Sequence, residues 1–503
     1  MQNKIKLKQH TKPLTSREAD GLSQLIIVIP KAQVKGGWPE FPYAGTLKKR
    51  LSKADTEGLA STPYVTDLPN PVGTHVALGA VNEEMTSFEL LTLARKLAGS
   101  ALARHPGRVT LCLAGLNDTL GARVSEALVT ALLAGAYSLP HFKTKKDKRT
   151  ELATIELYGL AAMPDFRRSY AEAEGNNLAR HLTSLPPNEL TPATYRRRVT
   201  ELARHHGWRM RFLDIAALKR LKAGTFLAVA QGSPKPDAGI VHLRYEPARG
   251  SRNPAVALVG KGVCFDTGGT NLKPAKHMYG MHEDMEGSAV ALGTLLALTE
   301  LKVNFPVDCW LALVQNHIGP NAYKQNDVVR ASNGTTIEVI HTDAEGRMIL
   351  ADTLALASKK KPGFMIDYAT LTGACVYALG TAYSGAFTNR PNLIPTLIET
   401  GRTSGERVWP FPMDEDYDTQ LESKVADIKQ CSTEGEADHI LAARFLNRFV
   451  DKTIPWLHVD LASGNHKGGL AHIPTDITGF GVRYTLNLLL DQNVLTHARG
   501  KSK

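Results

Sequence analysis

The 503-residue sequence predicts two α/β domains: a smaller N-terminal one, and a larger C-terminal one whose mainly parallel central sheet is covered by helices. Three observations carry that expectation. The chain is longer than one hydrophobic core usually serves. Short β-type runs alternate with segments whose apolar residues recur at helical spacing. A charged stretch ending in prolines, between residues 166 and 195, separates two such alternating series.

In the first series "LIIVIP" (25–30), "THVALGA" (74–80) and "RVTLCLAG" (108–115) read as strands. "SFELLTLARKLAGSALAR" (87–104) and "RVSEALVTALLAGAYSL" (123–139) read as helices, because their apolar residues fall on one face. The polar run "FKTKKDKR" (142–149) suits a surface loop before a further strand, "ELATIELYGL" (151–160). The first domain accordingly takes residues 1–165. "DFRRSYAEAEGNNLARHLTSL" reads as a charged helix, and the prolines of "PPNELTP" stop it and start the next. Residues 166–195 are thus the expected connection, and 196–503 the second domain. There "AVALVG", "MEGSAVALGTLLALTEL", "PVDCWLALVQ", "MILADTLALAS" and "FMIDYATL" alternate strand with helix. That order builds a parallel sheet covered on both faces, in which sites collect at the carboxyl ends of the strands.

Composition narrows the class. Hydrophobic residues make up 43% and charged residues 22%, as in ordinary globular proteins. The longest nearly apolar run, Ala127 to Leu139, is shorter than the roughly 20 residues of a membrane span. The basic N-terminus lacks the apolar stretch of a signal peptide, and five scattered cysteines form no CxxC pair. A cytoplasmic protein without disulfides or a membrane anchor is expected. The net charge of +11 comes largely with "NKIKLKQHTK", "LKKRLSK" and "KTKKDKR", which read first as solvated surface. Nucleic-acid binding is the alternative they raise, and no nucleic-acid-binding motif accompanies them.

The stretch "HTDAEGRMILADTLALA" crowds Asp343, Glu345 and Arg347 ahead of an apolar run. Thr342 and Glu345 have the spacing of a capping box, which would explain the acids locally. Upstream, however, an apolar strand carries Lys261, then Asp266 before two glycines, Lys273, and Asp284 near a helix start. A lysine in a buried strand is costly without a partner. Four carboxylates at strand ends and helix starts of one domain would repel one another unless positive charge joins them. Lys261, Lys273 and Arg347 supply some, and divalent cations supply it more compactly. Oxygen-rich ligands suit zinc, manganese, magnesium or cobalt, and a buried lysine can deprotonate to serve as a nitrogen ligand. "GKG" and "TGGTNLK" fit neither phosphate-loop pattern, and no GxSxG elbow occurs.

These residues resemble the leucyl (cytosol) aminopeptidase family of two-metal exopeptidases. "GKGVCFDTGG" is similar to that family's GKGxxFDxGG, and "LKPAKHMYGMHEDMEG" to its lysine-to-DMGG segment. "HTDAEGRMILADTLALA" resembles NTDAEGRLxLADxLxYA, and "DYATLTGACVYALG" contains its ATLTGA run. Weaker echoes, including "LTSLPPNELTP", "WLHVDLASG" and "TGFGVR", extend the likeness to about residues 180–485. The resemblance implies five metal ligands, Lys261, Asp266, Asp284, Asp343 and Glu345, holding two divalent ions, zinc or manganese. Asp266 and Glu345 would bridge the ions, with Lys261 and Asp284 completing the tighter site and Asp343 the more exchangeable one. It implies Lys273 and Arg347 as catalytic non-ligands, a bicarbonate at Arg347, and Met281, Thr370 and Gly373 around the pocket for the first side chain. The activity implied is removal of N-terminal residues from short peptides by a metal-bridging hydroxide, in a homohexamer.

The sequence also departs from the family. His341 stands where the family has Asn, Glu286 where it has Gly, and Gln315-Asn316 where Glu-Asn is common. His341 reads as a hydrogen-bonded structural residue. Glu286 adds bulk and charge two residues after a ligand and bears on substrate preference. His458 and Asp460 read as supports of a strand end.

Overall fold

The computed structural model describes residues 4–145, 150–247 and 253–497. They divide into two compact units. The first comprises Met1–Ala173 with the returning segments Arg402–Gly405 and Lys467–Asp476. The second comprises Glu174–Gly401, Glu406–His466 and Ile477–Lys503.

The first unit holds a six-stranded sheet of β1 (Lys6–His10), β2 (Gln24–Pro30), β3 (Tyr64–Asp67), β4 (His75–Val81), β5 (Arg108–Leu113) and β6 (Thr154–Tyr158). Their order is β1-β6-β5-β2-β4-β3, parallel except for β3 against β4. Leu25 to Ile29 are at most 1% exposed, because β2 lies mid-sheet with layers on both faces. Helices α1 (Ser87–Leu102) and α2 (Asp118–Gly135) cover one face, packing Leu93, Leu97, Val124 and Leu128 on Ile26, Val109 and Leu111. Thr86 and Glu89 form a capping box at the start of α1. The basic N-terminal run, expected as plain solvated surface, is also an edge strand. Lys4, Lys6 and Lys8 point outward while alternate residues turn in, a charged edge that discourages pairing with other chains. Of the expected loop 142–149, residues 146–149 lie outside the described residues. The five cysteines are free and buried.

The division between units falls within α3 (Arg167–Thr183), which precedes α4 (Pro192–His206). The sheet of the second unit contains β7 (Arg209–Asp214), β8 (Gly239–Tyr245), β9 (Val256–Asp266), β10 (Val307–Asn316), β13 (Phe364–Ala369), β14 (Ser384–Thr388), β15 (Val408–Pro410) and β17 (Trp456–Asp460). A separate small sheet is made of β11 (Val328–Arg330), β12 (Thr336–Glu338) and β16 (Ile428–Lys429). The large sheet runs β15-β14-β17-β13-β9-β10-β8-β7, and its central β17, β13, β9 and β10 are parallel. Antiparallel β8 and β7 extend one side, and β14 pairs antiparallel with β17 on the other.

Two helices matter most for the site: α5 (Glu286–Glu300) and α6 (Glu345–Ser358). Alternate residues of β9 face opposite ways. Ala257 and Val259 pack with Met348 and Ala351 of α6, whereas a Cβ on Gly260 would strike Ser288 of α5. The sheet is therefore covered on both faces, as the apolar runs predict. Every α6 residue is buried, and so are all α5 residues up to Leu298. No helix among the described residues is long and apolar enough to cross a membrane.

Candidate metal centre

The carboxyl ends of four parallel strands converge on one place. Asp266 ends β9, Asn316 ends β10, Thr370 follows β13 and Asp460 ends β17. Lys261, five residues before the end of β9, points to the α6 face. Asp343 and Glu345 arrive from the turn into α6. Asp284 sits between a short 3-10 turn (Met281–Glu283) and α5.

The turn after Asp266 is made by Gly268 and Gly269, both at positive φ. There the Thr342 hydroxyl accepts from the Asn271 N–H at 2.8 Å and donates to the Gly268 carbonyl at 2.6 Å. Thr342 therefore does not form a capping box with Glu345. Ala344 is the residue before the helix, and no side chain caps it. The hydroxyl instead ties the Asp343 loop to the Asp266 loop, a tertiary bond in place of a local one.

All five expected ligands meet. The Lys261 ammonium lies 2.7 Å from Asp284 Oδ1 and 3.0 Å from Glu345 Oε1, and donates to the Thr370 carbonyl at 2.9 Å. The Lys273 ammonium lies 2.9 Å from Asp266 Oδ2 and also pairs with Asp343. Asp266 Oδ1 accepts from the Gly268 N–H and from Asn316 Nδ2, each at 2.8 Å. Oxygens of Asp266, Asp343 and Glu345 lie within 4.8 Å of one another. Four carboxylates thus share two ammoniums, an excess of negative charge in a buried place.

That excess governs the titration of the cluster. Burial, then the charges of Asp266 and Glu345, pushes the Asp343 carboxyl up to about 7 against the pull of Lys273. Asp284 and Glu345 are also raised, by burial first and neighbouring acids second. Burial alone would lower Lys261 and Lys273, yet the surrounding carboxylates hold both above the ordinary lysine value. Asp284 Oδ2 and Glu345 Oε2 are buried with no hydrogen-bond partner among the described residues. Buried carboxyl oxygens without donors, beside the clustered oxygens of Asp266, Asp343 and Glu345, are the donor set that divalent cations take. The residues present fit a metal site.

A cavity of about 770 Å³ opens beside the cluster. All five of these residues line it, together with Lys273, Met281, Thr370 and Gly373. Arg347 is not among the lining residues. Buried in α6, its Nη2 donates to both oxygens of Asp438, at 2.7 and 2.9 Å, and its Nη1 to the Gln430 carbonyl at 3.3 Å. The Asp438 and Gln430 partners were not singled out in the sequence, since each lies more than 80 residues from Arg347 in a segment without a motif. Exposed His341 accepts at Nδ1 from the Asp343 N–H at 3.3 Å. His458 pairs with Asp367 at 2.6 Å, joining the middle of β17 to β13 and not a strand end, whereas Asp460 accepts from the Leu371 N–H and the Thr372 hydroxyl. Asp460 thus anchors the end of β17 and also reaches the cavity.

Known proteins resemble this chain in sequence and in fold. Residues 177–486 match the catalytic domain of the cytosol aminopeptidase family. A probable cytosol aminopeptidase of Rhodopseudomonas palustris is 41% identical over 418 residues, covering 80% of this chain and 81% of the relative. Another, from Persephonella marina, is 35% identical over 375 residues, covering 73% and 75%. Among solved structures, a mutant of tomato leucine aminopeptidase superposes with a TM-score of 0.85 at 29% identity, over 97% of both chains. The bottromycin maturation enzyme BotP in complex with Mn gives 0.80 at 30% identity, over 94% of this chain and all of that one. None of these relatives supports the nucleic-acid-binding alternative raised by the net charge. With the cluster, fold and relatives in agreement, the chain belongs to the cytosol aminopeptidase family and is a metal-dependent aminopeptidase, a hydrolase of the dinuclear class.

Proposed function

We propose that this aminopeptidase removes the first residue of short peptides with two divalent ions held by Lys261, Asp266, Asp284, Asp343 and Glu345. Asp266 and Glu345 would serve both ions, Lys261 and Asp284 would complete one site, and Asp343 would complete the other. The ions are zinc or manganese; the manganese complex of BotP makes manganese a natural first trial. The observation that carries this reading is the buried excess of carboxylate, with bare oxygens on Asp284 and Glu345. Bound there, divalent ions supply an activated water and a Lewis acid for the scissile carbonyl.

The chain's own residues do the rest. Asn316 and the Gly268 N–H fix one oxygen of Asp266, so its other oxygen faces the centre. Thr370 orients Asp284 through a 2.7 Å hydrogen bond. Lys261 holds Asp284 and Glu345 in place as an ammonium, and on releasing its proton it would offer a nitrogen to a bound ion. Lys273, at the cavity wall, supplies positive charge to the oxyanion that develops on the carbonyl. Met281, Thr370 and Gly373 bound the space for the first side chain. Asp438 occupies Arg347 through Nη2, while Nε has no acceptor among the described residues. That edge is the proposed anchor for a bicarbonate that carries the proton. A homohexamer in the cytoplasm completes the proposal, and it rests on the family resemblance.

The deciding assay uses purified, metal-depleted protein on aminoacyl-arylamides and dipeptides, with zinc, manganese and cobalt added back separately. Hydrolysis should return with at least one ion and stop at the first residue. Equal turnover by the depleted protein would remove the reading.

A further inference from the structure

The cavity beside the carboxylate cluster carries two acids that the reaction does not use. Glu283 ends the 3-10 turn, Glu286 begins α5, and both line the cavity. Glu286 is 1% exposed, and its Oε1 has no hydrogen-bond partner among the described residues. The two lysines at the cluster are engaged elsewhere, Lys261 with Asp284 and Glu345, Lys273 with Asp266 and Asp343. Glu286, whose carboxyl also takes a hydrogen bond from the Gly479 backbone, therefore meets the cavity with one oxygen, Oε1, that lacks a donor.

The loop after β17 is shaped to receive it. Gly464 leaves the space in which the Glu286 carboxylate lies, since a Cβ there would fall 2.1 Å from Oε2. On either side of Gly464, Ala462 and Asn465 line the cavity, and Asn465 Nδ2 donates to Glu283 Oε2 at 2.9 Å. The wall is thus apolar at Met281 and Ala462 and acidic at Glu283 and Glu286. With the backbone of the first residue held at the cluster, its side chain is the part directed into this space. A buried carboxylate oxygen without a donor is costly, and a ligand that brings a charged donor removes that cost. A long aliphatic stem ending in an ammonium or guanidinium matches both parts of the wall.

We propose that Glu286, with Glu283 beside it, selects peptides whose first residue is lysine or arginine. The inference rests on the aminopeptidase reading of the cluster and names its substrate class. The metal-loaded enzyme should cleave lysyl- and arginyl-arylamides with kcat/KM about tenfold or more above the leucyl compound. That ratio should fall about tenfold in Glu286→Gln, which keeps the shape and removes the acid that a cationic side chain would meet. It should fall likewise in Gly464→Ala, whose Cβ displaces the carboxylate. Calorimetry should show free L-arginine binding the wild-type holoenzyme more tightly than L-leucine, with the difference lost in Glu286→Gln at unchanged metal content. A wild-type preference for leucine, or a ratio indifferent to both variants, would overturn the inference while leaving the aminopeptidase reading intact. Loss of metal from Glu286→Gln would overturn it too, by making Glu286 part of the metal site. Failure of the loaded enzyme to cleave any arylamide would overturn the aminopeptidase reading and this inference together.

Discussion

Helix α6 carries two buried acids seven residues apart, Glu345 and Asp352, and they are held in opposite ways. Asp352 is fully buried and fully supplied: one oxygen accepts from the Thr225 hydroxyl and the Phe226 N–H, the other from the Ser332 N–H. Glu345, at the first turn, has one oxygen against Lys261 and the other bare. Burial raises both carboxyls. At Asp352 the donors pull back down, whereas at Glu345 the charge of Asp266 pushes further up. Burial therefore does not distinguish a structural acid from a site acid. The supply of donors does. Asp352 uses its lone pairs to tie α6 to the segment around Thr225 and the loop at Ser332, and Glu345 has one oxygen without a donor among the described residues.

Three substitutions test that contrast, beginning with the largest effect. Glu345→Ala should cut kcat/KM by about 10³-fold or more through loss of the activated water. The metal content should fall with it, while the circular dichroism spectrum and melting temperature of the apoprotein stay near those of wild type. A variant that still turns over would place the centre elsewhere. Asp352→Ala should reverse the pattern. Orphaning the Phe226 and Ser332 N–H groups and the Thr225 hydroxyl should cost about 3 kcal/mol of stability in a denaturant titration. The protein that remains folded should keep its metal and its activity, and a variant as stable as wild type would show that those donors find other partners.

The smallest effect concerns a third kind of acid, held by guanidinium groups. Asp418 lies between Arg444 and Arg448. Burial would raise its carboxyl, but those two arginines hold it below the ordinary value. A depressed folded-state pKa stabilises above the unfolded-state value, and the contribution disappears as pH falls through the folded-state one. Because the pair is partly exposed, Asp418→Asn should cost only about 1 kcal/mol near neutral pH. The gap to wild type should narrow as pH falls below the ordinary aspartate value and close once it passes the lowered folded-state one. A gap that persists in acid would assign the effect to packing.

How much of this could be read beforehand depended on the range of the interaction. Strands β2, β5, β10 and β13 lie where their apolar runs predict, because a run of β-branched and leucine residues needs burial wherever it is placed. The helix expected at 123–139 instead begins at Asp118, capped by Asn117, and ends at Gly135. Its cap signal lies outside the apolar periodicity. The N-terminal lysines gave no sign of an edge strand, since their pairing partner β6 is almost 150 residues away. The antiparallel edge of β7 and β8 was equally hidden, for direction in a sheet is settled by connections and not by side-chain period. Thr342 had the local spacing of a cap, yet its hydroxyl found Gly268 and Asn271 instead.

By itself the sequence determined the chemical inventory: which acids and lysines exist, which strand or helix end each occupies, and the family whose motifs they compose. Those features are local, written within a few residues of one another. Only the tertiary structure decided that Asp284 and Glu345 keep bare oxygens, that Asp438 takes the Arg347 fork, and that Glu286 rests in the space over Gly464. Each of those facts turns on whether a hydrogen-bond donor or a Cβ from a distant segment arrives within a few ångströms, and spacing along the chain does not encode such an approach.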